Sequence, residues 1–427
     1  MKACDSLKAA GIGSFLLVCC LSASAYSDQE VSWAGFSFIS QADQADSLYP
    51  FSTALEKPVL RPLLTKLVLY SEGSNKNITG QLMDAGSGSA KSLVVALDKE
   101  RITSGKFGGY CRREYSLSAQ VILYDGDSQS ILSITPVGMR RPYIDHEESC
   151  SALKGDQVRD RFRFCQMYLG LETDQDFSAS SFENKCLNIS PNELGPGLLK
   201  EVAEAIATLE VIEKKNIRYT GIGQVNLRPE AVAILKGDRE LGAHGFHNVN
   251  GEFDVDSYAN WIGQSFSKSI TNITGTPVVP LLKGKAIGGS IPLKFSDQVE
   301  VANLKLPQLD YSFDITVRGF KKVVLDETSA REAWAFGTYF SISFGLLDLH
   351  KPESLIKVKN AYVYEKARGD HVNDWQQFDY SSETVFRDFA ENIGSVNQKW
   401  VKKNSNLERK NAKNWFRYID GKLKDSR

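Results

Sequence analysis

The chain has 427 residues, 42% of them apolar and 24% charged, and its formal net charge is -1. So large an apolar share excludes a disordered chain, and the length asks for two or three domains. A near-zero charge sum excludes the basic field of a nucleic-acid-binding protein.

Lys2 and Lys8 flank the start of an apolar run from Ala9 to Leu21, and Ala23-Ser24-Ala25 places small residues ahead of Tyr26. This pattern predicts an export signal over residues 1-25, cleaved after Ala25, and hence a periplasmic or secreted protein. The run is about 13 residues, short of the roughly 20 that a membrane-spanning helix needs. Of seven cysteines, Cys111, Cys150, Cys165 and Cys186 would remain after cleavage. Four cysteines in an oxidising compartment predict two disulfides, with three connectivities open, and the lack of any C-x-x-C spacing argues against a zinc site.

Residues 26-235 read as a first α/β module. Gly35-Phe36 lies in an early strand. A helix follows from Ser52 to Tyr70, with Leu55, Val59, Leu63, Leu64 and Leu67 on one face and Pro58 and Pro62 as kinks. Tyr115, Leu117, Ala119, Val121 and Leu123 alternate with mostly polar residues. Asp125-Gly126-Asp127 then turns the chain into a partner strand over Ile131 to Val137. A polar insert at about 140-193 carries three of the four cysteines and reads as a stapled excursion or a recognition surface. Leu198 to Lys214 closes the module as an amphipathic helix.

Residues 236-403 repeat this order. Gly245-Phe246 answers Gly35-Phe36, and a helix runs from Asp256 to Thr271. Strands follow at Tyr311 to Val317, Trp334 to Phe344 and Leu355 to Tyr364, and a helix spans Glu383 to Lys403. Tyr-Ser at Tyr115 recurs at Tyr311, and Ser133-Ile134-Thr135 is answered by Ser341-Ile342-Ser343. The expected fold is therefore α+β: two related modules, each a mainly antiparallel sheet with flanking helices.

Residues 404-427 form a basic, aromatic tail. Between Lys399 and Arg427 ten Lys or Arg stand against three acidic residues. A helix there would set Trp415 and Phe416 close to Lys410, Lys413 and Arg417, a composition suited to an anionic membrane surface, a polysaccharide or an acidic protein face.

No complete catalytic motif emerges. His244 and His247 lack the i, i+4 spacing and glutamate of a metalloprotease helix, and Asp145-His146-Glu147-Glu148 reads as a solvated acidic run. S-x-x-K occurs twice, at Ser265-Lys268 and Ser151-Lys154, with no K-T-G strand to complete it. Gly86 to Ser92 lacks the glycine that a phosphate loop places before its lysine, and Gly221-Ile222-Gly223 reads as a turn. Asn248 to Asp256 is the best calcium candidate but lacks the EF-hand layout, leaving Asp254 or Asp256 as helix caps. No metal, cofactor or nucleic-acid partner is expected. The leading expectation is a non-catalytic binding or assembly scaffold of the cell envelope. A polysaccharide or peptidoglycan hydrolase built on a carboxylate pair and a small-ligand or lipid carrier are the alternatives.

Overall fold

The computed structural model describes residues 31-39, 45-70, 78-79, 91-107, 110-126, 130-146, 157-172, 183-209, 218-236, 253-281, 290-295, 301-346, 355-368 and 374-426. The expected leader, Cys150, His244, His247, His350 and His371 lie outside them.

The fold is α+β with two sheets. The first is built on β1 (Val31–Ile39), which runs parallel to β3 (Lys91–Phe107) and carries the two-residue β2 (Ile78–Thr79) on its other edge. β3, β4 (Tyr110–Asp125) and β5 (Ser130–His146) form an antiparallel meander. The second sheet repeats the plan: β6 (Thr220–Leu227) lies parallel to β9 (Tyr311–Glu327), which begins the meander β9, β10 (Arg331–Leu346), β11 (Leu355–Ala367). β7 (Ser290–Phe295) and β8 (Val301–Lys305) cross back to the first sheet, pairing with β1 and β5 and closing its strands into a ring.

Each meander buries one face beneath helices. In the first core, Leu93, Val95 and Leu97 of β3 and Ala119, Val121 and Leu123 of β4 face α1 (Pro50–Leu55) and α2 (Arg61–Tyr70), joined with α3 (Gln157–Leu169) and α4 (Leu198–Ala207). Pro58 falls in a π-helical turn, Glu56–Leu60, between α1 and α2: a ring without an N–H interrupts the ladder there without ending the helix. In the second core, Phe313, Ile315, Phe340 and Ile342 meet α6 (Val255–Thr274), α7 (Asp374–Gly394), α8 (Gln398–Asn404) and α9 (Arg409–Lys424), with α5 (Pro229–Lys236) beside them. Among the described residues no helix is long and apolar enough to cross a membrane.

Several expectations need correcting. The repeat is one of topology, but its sequence correspondences are one strand out: Tyr115 lies in the second meander strand, β4, and Tyr311 in the first, β9. Gly221-Ile222-Gly223 is not a turn but lies within β6, whose pairing with β9 shifts register between Ile222 and Gln224. That strand belongs to the second sheet, although a division at 235 would assign it to the first. The insert is no excursion, because α3 sets Phe162, Phe164, Met167 and Tyr168 in the first core. Cys165 and Cys186 form a disulfide inside it, with Cα atoms 6.2 Å apart. Cys111 lies on β4 opposite Asp145 of β5. The expected helix from Glu383 to Lys403 breaks after Gly394, and Asn397 caps α8 by accepting from the amides of Lys399 and Trp400.

The tail is likewise part of the second core. Ala412, Phe416, Ile419 and Leu423 recur at helical spacing and are buried, and the Phe416 ring meets Phe389 edge-on at 5.3 Å. Phe416 is thereby withdrawn from any partner. Its replacement by alanine is expected to cost about 3 to 5 kcal/mol, the usual loss for a large buried ring. Urea denaturation of F416A should show that fall, whereas an unchanged midpoint would mean that α9 is not seated.

Candidate functional site

The two modules meet through α7, which crosses the outer face of the first meander. Glu114 of β4, 3% exposed, is the centre of this seam. Its carboxylate accepts from Gln376 Nε2 at 2.7 Å and from the Tyr380 hydroxyl, and it pairs with Arg140 Nε at 3.0 Å. Arg112 donates to the Tyr380 hydroxyl at 3.1 Å, and Arg140 reaches Glu383 at 2.5 Å. A second buried pair, Arg101 with Asp379 at 3.2 Å, joins β3 to the same helix. The charges run along one face of α7 because Gln376, Asp379, Tyr380 and Glu383 lie three and four residues apart.

Beside the seam a cavity of about 630 Å³ opens between the first meander and helices α6 and α7. A β-bulge shapes its floor. Pairing passes from Leu97 opposite Ala119 to Lys99 opposite Ser118, so Asp98 is an extra residue and both Asp98 and Lys99 open into the cavity. Their neighbours Leu97 and Glu100 face the first module instead, where Glu100 accepts from the amides of Phe51 and Ser52. The opposite wall is α6, with Trp261, Ser265, Lys268 and Asn272. Lys268 Nζ donates to the Gly138 carbonyl at 2.6 Å. Glycine is required at that position, since a Cβ there would lie 2.7 Å from the Leu117 carbonyl and 3.0 Å from Lys268 Nζ.

Burial dominates the electrostatics. It pushes the Lys99 amine down to about 7, with Arg101 and Arg140 adding repulsion, and it lowers Lys268 as well. It raises the Asp98 carboxyl against hydrogen bonds from Ser118 and Gln120, which would otherwise favour the anion. Gln120, 2% exposed, spends its amide nitrogen on Asp98, and its Oε1 has no partner among the described residues. The cavity thus combines cations short of solvent, an acceptor in need of a donor, and an apolar lining of Val137, Met139, Trp261 and Ile273.

Of the residues singled out in the sequence, Ser265 and Lys268 are brought to this wall, whereas Ser151 and Lys154 lie outside the described residues. Lys410, Lys413 and Arg417 are exposed on α9, away from Phe416, and Trp415 is partly buried against Phe389. Asp254 accepts from the Asp256 amide at 3.1 Å at the start of α6, and Asn248, Asn250 and Glu252 of the calcium candidate lie outside the described residues. No cluster of three or more potential metal ligands occurs among the described residues. Asp98, Lys99, Gln120, Gly138 and Arg140 were not apparent from sequence. They come from three strands, and an adjacent Asp-Lys pair at a bulge has the same pattern as any charged strand end.

No family model matches the chain, and no curated protein or solved structure matches it.

Stability should have a trough near neutrality. Burial holds Glu100 up at about 7 from 4.5, so in that interval the folded chain keeps a proton that the unfolded chain releases, and stability falls as pH rises. Asp98 and Asp379 act in the same sense. Lys99, lowered from 10.5 to about 7, does the reverse: between those values the unfolded chain binds the extra proton, and stability climbs with pH. Each such proton contributes a slope of at most ~1.4 kcal/mol per pH unit. Denaturation at stepped pH should find E100Q shallower on the acid side and K99M shallower on the alkaline side. Profiles parallel to the parent in both variants would refute this assignment.

Proposed function

We propose that this is an exported binding protein whose inter-module cleft takes a small organic acid, its carboxylate or phosphate held by Lys268 and Lys99 and its apolar part lying on Trp261 and Met139. One observation carries the reading: Lys268 lines a cleft of mixed polar and apolar character, with its amine fixed on the Gly138 carbonyl beside the space into which Lys99 also opens. Desolvation disfavours the charged form of Lys268, and an anionic group on a ligand beside it would offset that cost. The volume suits a ligand of drug-like size, and the unpartnered Gln120 Oε1 gives a donor on the ligand somewhere to bind. Binding is favoured over carboxylate-based hydrolysis because Asp98 is engaged by Ser118 and Gln120, and Glu383 by Arg140. The Cys165–Cys186 disulfide supports the export reading, since such bonds persist in oxidising compartments.

Decanoate is a suitable probe. At a hundredfold excess over Kd it should add ~2.7 kcal/mol to stability, a rise of several degrees in Tm, and K268M should abolish the rise. Inorganic phosphate, which leaves the apolar wall unused, should give little. Because binding an anion restores a proton to the Lys99 amine, held near 7, Kd should weaken by up to ~10-fold per unit as pH rises above that value. No shift with decanoate, or the same shift in K268M, would sink the proposal.

A second reading, assembly on an anionic envelope surface, draws on the exposed cations of α8 and α9, where Lys402, Lys403, Lys410, Lys413 and Arg417 stand clear of the core. Since the aromatic side of α9 is packed inward, attraction there would be electrostatic and sensitive to salt. Vesicles containing phosphatidylglycerol should sediment the protein at low salt, and K410E/K413E/R417E should prevent it. Equal sedimentation of this triple variant would remove α9 from the interface.

A further inference from the structure

Among the described residues the second sheet has an open edge. β11 is its outermost strand and pairs with β10 along its whole length without a bulge. Its orientation is fixed at one end, where the Lys357 amide donates to Asn406 Oδ1 and the Lys357 carbonyl accepts from the Asn406 amide. The main-chain groups of Lys357 therefore point away from β10. By strand alternation so do those of Lys359, Ala361, Val363 and Glu365, whose side chains are all exposed. Val363 is 53% exposed in the middle of this row. Beyond Val317 the other edge of the sheet, on β9, pairs with no strand among the described residues, but its pairing with β10 is broken by bulges near Gly319 and Leu325, a common way of blunting an edge.

The sequence of the β11 edge is complementary to itself. About a two-fold axis at Tyr362, an antiparallel copy would place Ala361 opposite Val363 as a hydrogen-bonded pair. Lys359 would lie opposite Glu365, and Tyr362 opposite its own counterpart. Every residue with outward main-chain groups then meets another such residue, and each end of the strand gains an ion pair. Lys359 has no ion pair among the described residues, and Glu365 has only a loose exposed one with Arg331, at 3.8 Å. Charges that protect an edge from unrelated strands here select an identical one.

We propose that the chain forms a homodimer by antiparallel pairing of β11 with β11 of a second copy over residues 359–365, making one continuous sheet across the axis. The contact is small, at the low end of specific interfaces, so it is concentration-dependent. Sedimentation velocity of the full chain from about 1 to about 300 µM should show a monomer–dimer equilibrium. V363P removes an outward N–H that the β10 ladder does not use, so it should keep the fold and lose the dimer. K359E and E365K should each weaken dimerisation by about tenfold or more, and mixing the two variants should restore it as a heterodimer in which every pair is again opposite in charge. Circular dichroism and Tm of each variant separate lost pairing from lost fold. A parent chain that stays monomeric over this range would overturn the proposal. A dimer indifferent to V363P would do the same, as would folded K359E and E365K chains that fail to pair when mixed.

Discussion

A carboxylate buried between two modules determines how this molecule is put together. Glu114 is almost inaccessible, and an isolated charge in such a place would cost several kcal/mol. It is tolerable only because donors from both sides converge on it: Arg140 from the first module, Gln376 and Tyr380 from α7 of the second. Taking the second module away would strip Glu114 of Gln376 and Tyr380 and part Arg101 from Asp379. The seam is therefore better understood as a demand for one relative placement than as a source of net stability, since apolar surfaces of the same shape would bind at least as well.

That placement creates the cleft. With α7 locked on β4, α6 is held over the outer face of the same meander, and the space between them is lined by groups that a sheet face open to water would simply hydrate. Confinement pushes the lysine amines down and the Asp98 carboxyl up. The bulge at Asp98 contributes a second effect. By turning two consecutive charged residues to one face, it doubles the functional density of a strand that otherwise alternates between core and cleft.

Much of the fold follows from periodicity, and its failures have a common cause. The amphipathic stretches at 52–70, 198–207 and 255–274 are helices because their apolar residues keep a period of 3.6. Strand order is less legible. All six meander strands have the same alternation, so Tyr115 and Tyr311 resemble one another without being equivalent, and matching them sets the repeat one strand out of step. The insert looked like a polar excursion because α3 carries arginines at 159, 161 and 163 among its aromatics. One of these, Arg163, is itself buried, with its guanidinium 4.0 Å from the centre of the Tyr143 ring. Composition could not show that pairing. The cleft was hidden for a related reason, since its residues come from 98–99, 116–120, 136–140, 261–273 and 380–391 and meet only after both modules are docked.

One side chain links the three features. Tyr380 donates to Glu114 in the seam, lines the cleft, and sets its ring in a tilted contact with that of Tyr362 at 5.5 Å, the residue at the centre of the β11 edge. Ser381 beside it bonds Thr338 of β10 and the Asn360 carbonyl of β11, so this turn of α7 is fastened to the sheet from both sides. A ligand that displaces the Tyr380 ring must move Tyr362 with it or give up the ring contact. Any such displacement alters the strand that would face a second copy. Under the two proposals, a ligand that contacts Tyr380 would couple occupancy of the cleft to pairing of the edge through this ring contact, and by linkage the coupling free energy would be the same in both directions. Its size is set by how differently the ligand contacts Tyr380 in the single and paired chains, because a ligand indifferent to that ring shifts neither equilibrium.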